Sequence, residues 1–595
     1  MKTFKKLILL LSFNDRKKFF FLLGLINVMA FLDMMGVASI LPFMTVLLNP
    51  DVVETNFLIN KIFIYSKIFG VKTIQDFIFF LGIAVFFLLV VSLFLKACVT
   101  YFQVHFVQIS QHNISTRLVE GYLNKKYSWF LNRNSSDLAK NILSEVGEIV
   151  SIGIAPLLEL ISKTIITIVI ISMLMFVNSK LTFIAGILLT LVYTLIYYSY
   201  RKILSRIGKE KFLSNELRFK SINEAFGGIK EVKFIGLEDL YKKNFKKLNL
   251  SYVKTVTSSV VISQLPRFFI EAVAFGGILL ITLILLSMSK SPTEFIPLIT
   301  LYVFASYRLI PALQIIYGAV AQLTYIGPTL NKLYDDFEKL KDFNVTQNSS
   351  KTHLPFKKEI YLKNIYFEYP NSTRVALKKI NLRIPIKSSV GLVGVTGSGK
   401  TTIVDIIMGL LEPQNGKLEI DDIVINNQNV RTWQKNIGYV PQFIYLSDDT
   451  VSANITFGLN SENINQEEIE KVCKIVNLHD FIINELPEQY DTKIGERGIR
   501  LSGGQRQRIG IARALYRKPK VLVFDEATSA LDNKTEKEII NAINNINKDI
   551  TMITIAHRLN TLKNCDTIYR VNNGEIVQQG TFNKIVNNKF KFKKE

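Results

Sequence analysis

The stretch GVTGSGKT, from Gly394 to Thr401, decides the fold of the carboxyl-terminal half of this chain. It follows the apolar run VGLV at 390–393, which is typical of a buried strand, and a helical pattern continues after it to Met408. In that setting, Gly394, Gly397 and Gly399 let backbone N–H groups converge on phosphate oxygens, and the helix presents its positive end to them. Lys400 is expected to reach the terminal phosphates of a nucleotide, and Thr401 to ligate Mg²⁺.

A second apolar run ends in two acidic residues. The sequence VLVFDE at 521–526 predicts a buried strand with Asp525 and Glu526 at its carboxyl end. Beside a phosphate loop, Asp525 would hold the magnesium directly or through water, and Glu526 would polarise the attacking water as a general base. The alternative, two solvated acids at a strand end, is disfavoured by the apolar run and by the phosphate loop upstream.

The motif LSGGQ at 501–505 is the third signal, and with it the chain resembles the nucleotide-binding domain of ABC transporters over about 358–590. The resemblance implies that Tyr369 stacks on adenine and that Gln442 senses the metal and couples to the membrane domain. It also implies that His557 contacts the γ-phosphate and that Ser398 and Thr402 belong to the nucleotide site. By the same resemblance, a signature helix would cap the γ-phosphate of the opposite subunit's ATP with Ser502, Gly503, Gly504 and Gln505.

The resemblance has consequences for assembly. Each ATP would lie between the phosphate loop of one domain and the signature helix of another, so one domain cannot complete a site. The chain carries one ATP half and one membrane half, and a homodimer is therefore expected. The catalytic set follows the family pattern, so both sites are expected to hydrolyse ATP with Mg²⁺.

Long apolar runs dominate the amino-terminal half of the chain. Hydrophobic residues make up 49% of the sequence, and a transmembrane helix needs about 20 mostly apolar residues. Six segments qualify: 19–48, 77–104, 152–177, 181–200, 268–288 and 294–322. The long basic connections 105–151 and 201–267 are expected in the cytoplasm, because positive charge accumulates on that side. Both termini would then lie on the cytoplasmic side of the inner membrane.

These patterns predict a membrane α-helical domain with six transmembrane helices, of the type 1 exporter kind that the resemblance implies, and a cytoplasmic α/β domain. The expected boundaries are 1–18 for a cytoplasmic elbow helix, 19–335 for the transmembrane domain, 336–357 for a linker and 358–595 for the ATP domain. The net charge of +23 is assigned to the positive-inside bias, since no compact basic module predicts nucleic-acid binding. The three scattered cysteines predict neither a disulfide framework nor a metal cluster.

Charged residues inside the predicted spans form a separate group. Asp33, Lys96, Glu271 and Arg308 all fall within or at the start of apolar segments, where an unpaired charge costs a few kcal/mol or more. One hypothesis makes Asp33 and Arg308 an interhelical ion pair. The other places Arg308 in a hydrated cavity, where it binds an anionic group of the substrate.

Three further segments carry functional expectations. The outer loop contains an apolar stretch at 57–69 that predicts either an interfacial helix, with Lys61 and Lys67 facing headgroups, or a helix packed over the ends of the spans. The segments 127–134 and 223–231 occupy the places where coupling helices of exporters dock on the ATP domain. Ordinary helix packing is the alternative for both.

The cargo is the least constrained feature. The first span, the outer-loop segment and 305–313 resemble the PglK-like flippases of lipid-linked oligosaccharides. The resemblance implies flipping of a polyprenyl-pyrophosphate-linked oligosaccharide from the inner to the outer leaflet. Export of another lipid such as a lipid A-like molecule, of a hydrophobic drug or of a peptide is the alternative. A soluble ATPase acting on nucleic acid or ribosomes is disfavoured by six apolar spans, and an ATP-gated channel is allowed by the fold alone.

Overall fold

A computed structural model describes residues 2–287, 292–341, 354–370, 372, 374–459, 462, 464–495, 498–526, 550–556 and 562–587. The chain divides into two compact units. Unit 1 comprises Met1–Lys125 and Arg133–Phe343, and unit 2 comprises Lys126–Asn132 and Asn344–Glu595. A short segment from the amino-terminal half of the sequence therefore belongs to the second unit.

The described residues of unit 1 form helices joined by short connections. Up to residue 341 the helices are α1 (Lys2–Leu10), α2 (Phe13–Ala38), α3 (Ile40–Leu48), α4 (Val52–Thr55), α5 (Phe57–Ser66), α6 (Ile74–Leu123), α7 (Tyr127–Phe130, in unit 2), α8 (Ser135–Lys140), α9 (Val146–Ile149), α10 (Ala155–Val177), α11 (Ser179–Gly227), α12 (Ile229–Ile235), α13 (Glu238–Gln264), α14 (Pro266–Ser287), α15 (Pro292–Tyr325) and α16 (Gly327–Lys341). Two π-helical turns join α8, α9 and α10 into one helical stretch.

Four helical stretches among the described residues are long and apolar enough to cross a membrane: Phe13–Leu48, Ile74–Leu123, Ser135–Val177 and Ile299–Tyr325. They contain the first three predicted spans and most of the sixth. The predicted spans 181–200 and 268–288 lie on α11 and α14, which are not among these four stretches, and residue 288 lies outside the described part of the chain. That the chain has six transmembrane helices therefore stays a prediction.

Two helices end at positions that differ from the predicted domain boundaries. The elbow helix ends at Leu10 rather than near 18, because Ser12 caps a new helix by accepting a hydrogen bond from the Asp15 amide. The guanidinium of Arg16 turns back and donates to the carbonyls of Ile8 and Leu9 at 3.0 Å each, which satisfies the end of α1. At the other end of unit 1, the predicted linker overlaps α16, which remains helical to Lys341.

Close helix contact in unit 1 depends on a glycine. A Cβ atom on Gly208 of α11 would lie 2.2 Å from the carbonyl oxygen of Tyr325, at the end of α15. Leu204, one turn earlier, is fully buried in the same cluster as Tyr317 and Tyr325. The two helices approach each other closely here because residue 208 has no side chain.

Unit 2 contains the mixed α/β structure that the alternating pattern predicts. Its strands are β1 (Glu359–Glu368), β2 (Val375–Pro385), β3 (Ser389–Val393), β4 (Asn415–Ile420), β5 (Ile423–Val424), β6 (Ile437–Val440), β7 (Val521–Asp525), β8 (Thr551–Ile555), β9 (Thr567–Asn572) and β10 (Glu575–Gly580). Its helices after α7 are α17 (Lys400–Ile407), α18 (Val430–Gln434), α19 (Val451–Ile455), α20 (Gln466–Ile475), α21 (His479–Glu485), α22 (Gly503–Tyr516) and α23 (Phe582–Asn587).

The described strands form two sheets. One has the order β2-β1-β4-β5 and is antiparallel, and the other has the order β10-β9-β3-β8-β7-β6. Strands β3, β8, β7 and β6 run parallel to one another, so their carboxyl ends lie along the same edge of the sheet. In parallel α/β sheets, this edge is where ligands bind.

Candidate nucleotide-binding site

The phosphate loop 394–399 connects β3 to the first residue of α17, as the sequence predicts. Gly397 and Gly399 have φ angles of +77° and +107°, in the left-handed region that favours glycine. A Cβ atom on Gly394 would lie 2.2 Å from the Val571 carbonyl oxygen, and one on Gly399 would lie 2.7 Å from a Leu377 methyl group. The backbone can therefore curl tightly around a ligand only because these positions lack side chains.

Lys400 lies across this loop. Its ammonium donates hydrogen bonds of 2.9 and 3.0 Å to the carbonyl oxygens of Gly394 and Val395. Burial lowers the pKa of Lys400, and the nearby carboxylates of Glu526 and Asp525 act in the opposite direction. The cation is thus held at the loop itself, and a lysine at this position of a phosphate loop is suited to bind nucleotide phosphates. The buried hydroxyl of Ser398 has no hydrogen-bond partner among the described residues, which leaves another polar group at the same loop.

The two predicted acids lie at the carboxyl end of β7. Asp525 is its last residue and is buried, and the Tyr439 hydroxyl donates to its Oδ2 at 3.4 Å. Glu526 follows with a φ of +52°, which is uncommon for a residue other than glycine. Its amide donates to the Ile555 carbonyl of the neighbouring strand β8 at 3.2 Å. The strained backbone is therefore held in place by the adjacent strand.

Gln442 and Glu526 are brought together although they are far apart in the sequence. Gln442 follows β6, and its side-chain amide donates to Glu526 Oε2 at 2.7 Å. Lys400, Gln442, Asp525 and Glu526 thus share the edge formed by the ends of the parallel strands. His557 follows β8 by two residues in the sequence but lies outside the described residues, so its predicted role is untested.

Oxygen donors suitable for a hard cation are present at this edge. The Asp525 carboxylate and the Thr401 hydroxyl are the ligand types that Mg²⁺ prefers, and Mg²⁺ is usually held by one or two protein groups together with substrate phosphates. Among the described residues, no group of three or more His, Cys, Asp or Glu side chains could hold a metal ion by itself. The site is therefore suited to a metal that arrives with a nucleotide.

Tyr369 lies just beyond the end of β1, at the side of the phosphate loop. Its hydroxyl shares a 2.9 Å hydrogen bond with the Thr402 hydroxyl, and its ring packs edge-on against Phe367 with centroids 5.0 Å apart. Burial raises the pKa of the tyrosine hydroxyl. This hydrogen bond holds the side chains of two predicted site residues, Tyr369 and Thr402, in contact with each other.

The signature motif begins α22. Ser502 Oγ accepts a hydrogen bond of 3.2 Å from the Gln505 amide, and Gln505 Oε1 accepts one of 2.7 Å from the Ser502 amide. This reciprocal capping box uses both side chains for the helix start. It leaves the first-turn N–H groups of Gly503 and Gly504 without helical acceptors, and such groups are available to an anion. Direct phosphate contact by Ser502 or Gln505 remains a prediction.

Asp405 is a buried carboxylate near the site that the sequence motifs did not indicate. This residue lies on α17, one turn beyond Thr401, and is buried. Burial raises the pKa of its carboxyl group to about 7, with the charge of Asp525 adding to the effect. The spacing from Thr401 could have revealed Asp405, since residues four apart lie on the same face of a helix.

The segment Lys126–Asn132 belongs to unit 2 together with this domain. Lys126 forms an ion pair with Glu412, and the Asn132 side-chain amide donates to the Pro370 carbonyl at 3.3 Å, next to Tyr369. Burial and the charge of Asp405 raise the pKa of the Tyr127 hydroxyl. The prediction that this segment docks on the ATP domain is confirmed for 126–132. The segment 223–231 lies in unit 1, and docking of that segment stays a prediction.

Comparison with known proteins shows which family this chain is similar to in both of its halves. A model of the ABC transporter domain matches residues 377–529, and a model of the ABC transporter transmembrane region matches residues 19–309. The ATP-dependent lipid A-core flippase of Cupriavidus pinatubonensis is 30% identical over 466 residues, which cover 77% of each chain. The chain belongs to the ABC transporter family. It is an ATP-driven exporter, and its ATPase activity is coupled to transport.

A further relative and a solved structure match most of the chain of this exporter. The heterocyst differentiation ATP-binding protein HepA of Nostoc sp. is 29% identical over 514 residues, covering 84% of this chain and 81% of that protein. A solved structure of a bacterial Atm1-family ABC exporter with ATP bound superposes with a TM-score of 0.75. It covers 95% of this chain and 96% of the other at 20% identity, and at that identity it supports the fold alone. The predicted type 1 exporter fold is confirmed.

Proposed function

We propose that this exporter flips an amphipathic lipid with an anionic headgroup from the inner to the outer leaflet of the cytoplasmic membrane. The proposed cargo is a polyprenyl-pyrophosphate-linked oligosaccharide. The observation that carries the proposal is the ion pair between Asp33 and Arg308, which lies among apolar residues of membrane-spanning helices. A lipid A-like lipid is the second candidate, and the curated name of the Cupriavidus relative favours it.

The ion pair joins α2 to α15. Arg308 Nη2 lies 3.3 Å from Asp33 Oδ1, and the Ser92 hydroxyl of α6 donates to the same oxygen at 2.9 Å. The two charged side chains are only 15% and 6% exposed. The geometry matches the simpler of the two hypotheses, an interhelical pair. A buried pair is expensive to maintain in hydrocarbon, and such pairs commonly mark substrate pathways.

Two further cations lie near this pair. Lys163 of α10 interacts electrostatically with Lys96 of α6, with Glu159 of its own helix, and with both Asp33 and Arg308. The four stretches that are long enough to span a membrane therefore each contribute a charged side chain to one neighbourhood. With Glu159 included, the group holds the three cations Lys96, Lys163 and Arg308 and two carboxylates, so positive charge is in excess, which suits a phosphate-bearing headgroup. In the proposed cycle, that headgroup competes with Asp33 for Arg308.

The outer helix α5 supports a lipid cargo. Ile59 and Ser66 are buried on one side, and the ring of Phe63 packs against Phe77 with centroids 5.1 Å apart. The other side exposes large apolar residues: Phe57, Leu58, Ile62, Ile64 and Tyr65. Both predicted roles are thus compatible with the geometry, since α5 packs on the end of α6 and keeps an apolar face open. We propose that this face contacts the lipid tail.

The ATP site fits a homodimer that uses Mg²⁺. Thr401, Asp525 and Gln442 would hold the metal, which would neutralise charge on the nucleotide phosphates. The signature residues begin α22, whereas the phosphate loop precedes α17 on a different part of the unit. In the proposed assembly, Gly503 and Gly504 face the ATP that is bound by the second identical subunit. Both termini are proposed to be cytoplasmic, because the connection 201–267 is rich in Lys and Arg.

The test is ATPase activity of the protein reconstituted in liposomes, with and without an extract of lipid-linked oligosaccharide or purified lipid A. Stimulation by the oligosaccharide lipid in the wild type, absent in Glu526→Gln, is the expected result. Arg308→Glu is expected to lose this stimulation, whereas Arg267→Glu, whose exposed side chain pairs only locally with Glu271 at 2.8 Å, should keep it. Stimulation by lipid A alone would select the second candidate. Stimulation by hydrophobic drugs and by neither lipid would refute both.

A further inference from the structure

The chain passes from unit 1 to unit 2 at two places, and the helix α16 contacts the first and precedes the second in the sequence. The first is the excursion 126–132, which leaves after Lys125 and returns at Arg133. The second follows Phe343, two residues after the end of α16. The contacts around α16 therefore bear on both covalent connections to the ATP-binding unit.

Asp336 of α16 is the centre of a polar cluster within unit 1. Arg133 Nη1 lies 3.7 Å from Asp336 Oδ1, and the side-chain amide of Asn141 donates to Asp336 Oδ2 at 3.4 Å. The same amide lies 3.3 Å from the hydroxyl of Tyr122, near the end of α6. Asp336 is only 6% exposed. We call Tyr122, Arg133, Asn141 and Asp336 the α16 cluster.

The other flank of the excursion is held by the same helix. The Lys125 ammonium donates to the Lys339 carbonyl at 2.5 Å. One turn of α6 earlier, a Cβ atom on Gly121 would lie 2.9 Å from a methyl group of Leu340. Both ends of the docking segment are therefore attached to α16, one through Lys125 and the other through Arg133.

Electrostatics favours the intact cluster. A buried carboxylate that loses its cationic partner is destabilised, because less of its charge is compensated. Without Arg133, the Asp336 carboxylate would keep the hydrogen bond from Asn141 but would lose its cation. A purely structural role of the cluster would stabilise α16 and would not affect the coupling between the two units. Lys125 and Arg133 flank the docking segment in the sequence, however, so a displacement of that segment acts directly on both residues.

We propose that the α16 cluster transmits the ATP-driven movement of the docking segment 126–132 to α6 and α16 as one body. Asp336 and Arg133 are positioning residues in this role: they touch neither nucleotide nor cargo. Among the described contacts, breaking the pair leaves the docking segment attached to α16 through Lys125 alone, so that its movement displaces α6 and α16 less. ATP hydrolysis then continues while its coupling to unit 1 is weakened.

The test uses the full-length protein in lipid nanodiscs and needs no knowledge of the cargo. Hydrogen–deuterium exchange of α6 and α16 is compared without nucleotide and after trapping with ATP, Mg²⁺ and vanadate, beside the steady-state ATPase rate. Asp336→Asn is expected to keep the ATPase rate within about twofold and to reduce the nucleotide-dependent exchange difference by about fivefold or more, as for loss of one coupled contact. Asp335→Asn is the matched control, because Asp335 is adjacent, 64% exposed and only 4.0 Å from Lys6.

Two further variants separate transmission from folding. The double variant R133D/D336R reverses the pair and should restore the nucleotide-dependent difference. Arg133→Lys keeps the charge and should retain most of it, even if Asp336→Asn proves too unstable to purify. An unchanged exchange difference in folded Asp336→Asn, or a parallel loss of ATPase activity and exchange difference that the reversed pair does not rescue, would overturn the proposal.

Discussion

The side-chain amide of Gln442 donates a 2.7 Å hydrogen bond to the carboxylate of Glu526. The two residues follow β6 and β7, neighbouring parallel strands whose carboxyl ends share one edge of the sheet. Glu526 is also constrained by its positive φ and by its amide contact to β8. A carboxylate that is held in this way is positioned before any substrate arrives, as expected of a general base.

Glu526→Gln should reduce ATP hydrolysis by about a hundredfold or more, because general bases typically contribute 10²–10⁴ in rate. ATP affinity should change little, since Lys400 and the phosphate loop are intact. The measurement is the steady-state ATPase rate beside ATP binding by equilibrium titration. Glu488→Gln, an exposed glutamate of the same unit, serves as the control and should behave as wild type. Hydrolysis above about a tenth of the wild-type rate would exclude Glu526 as the base.

Tyr369→Ala should weaken ATP binding by about tenfold, because stacking of a base on an aromatic ring is worth about 1–3 kcal/mol. Tyr369→Phe retains the ring and loses only the hydroxyl that contacts Thr402. Its ATP affinity should stay within about threefold of wild type, with a loss of about 1 kcal/mol in stability. Titration with a fluorescent ATP analogue distinguishes the two variants. Equal weakening in both would point to the hydroxyl rather than to stacking.

Asp405→Asn should stabilise unit 2 in a pH-dependent way. Burial raises the pKa of Asp405 from 3.8 to about 7 in the folded protein. Between these two values the unfolded chain has released the proton that the folded chain still holds, so stability falls as pH rises through this window. Above pH 7 the full penalty applies, and below about pH 4 it vanishes.

The measurement for Asp405 is the thermal unfolding midpoint of the nucleotide-free, metal-free protein at pH 5 and pH 8. The Tm of Asp405→Asn should exceed that of wild type by several degrees at pH 8 and by clearly less at pH 5. Asp422→Asn, at a side chain that is 84% exposed, should show no such trend. A constant difference at both pH values would mean that Asp405 does not titrate in this window.

Gly208→Ala should destabilise unit 1, because the new methyl group would lie 2.2 Å from the Tyr325 carbonyl and would force α11 and α15 apart. The expected cost is about 1–3 kcal/mol. Gly186→Ala on the same helix is the control, since a Cβ atom there meets nothing within 4 Å. Thermal stability in detergent should fall for the first variant only. Equal midpoints for both variants would show that the helices can separate without cost.

The local structure of the candidate nucleotide site was largely predictable, because its parts are adjacent in the sequence. A strand, a glycine loop and the start of a helix follow one another over 390–408, and each part carries its own signal. The residues Asp525 and Gln442 could likewise be identified from the short motifs around them.

The membrane helices were predictable from apolar length, although the break at Ser39 and the helical extension through Lys341 were not. Those boundaries depend on caps and on neighbours that hydropathy does not describe.

By itself, then, the sequence determined that this chain has a phosphate loop between a strand and a helix and that its amino-terminal half contains long apolar helices. Only the tertiary structure decided which charges meet. The contact of Arg308 with Asp33, the position of Asp405 beside Asp525 and the attachment of Arg133 to Asp336 all join distant parts of the chain. The physical reason is that a phosphate loop or an apolar span forms from residues that are adjacent in the sequence. The state of a buried charge depends instead on partners that folding alone brings within a few ångströms.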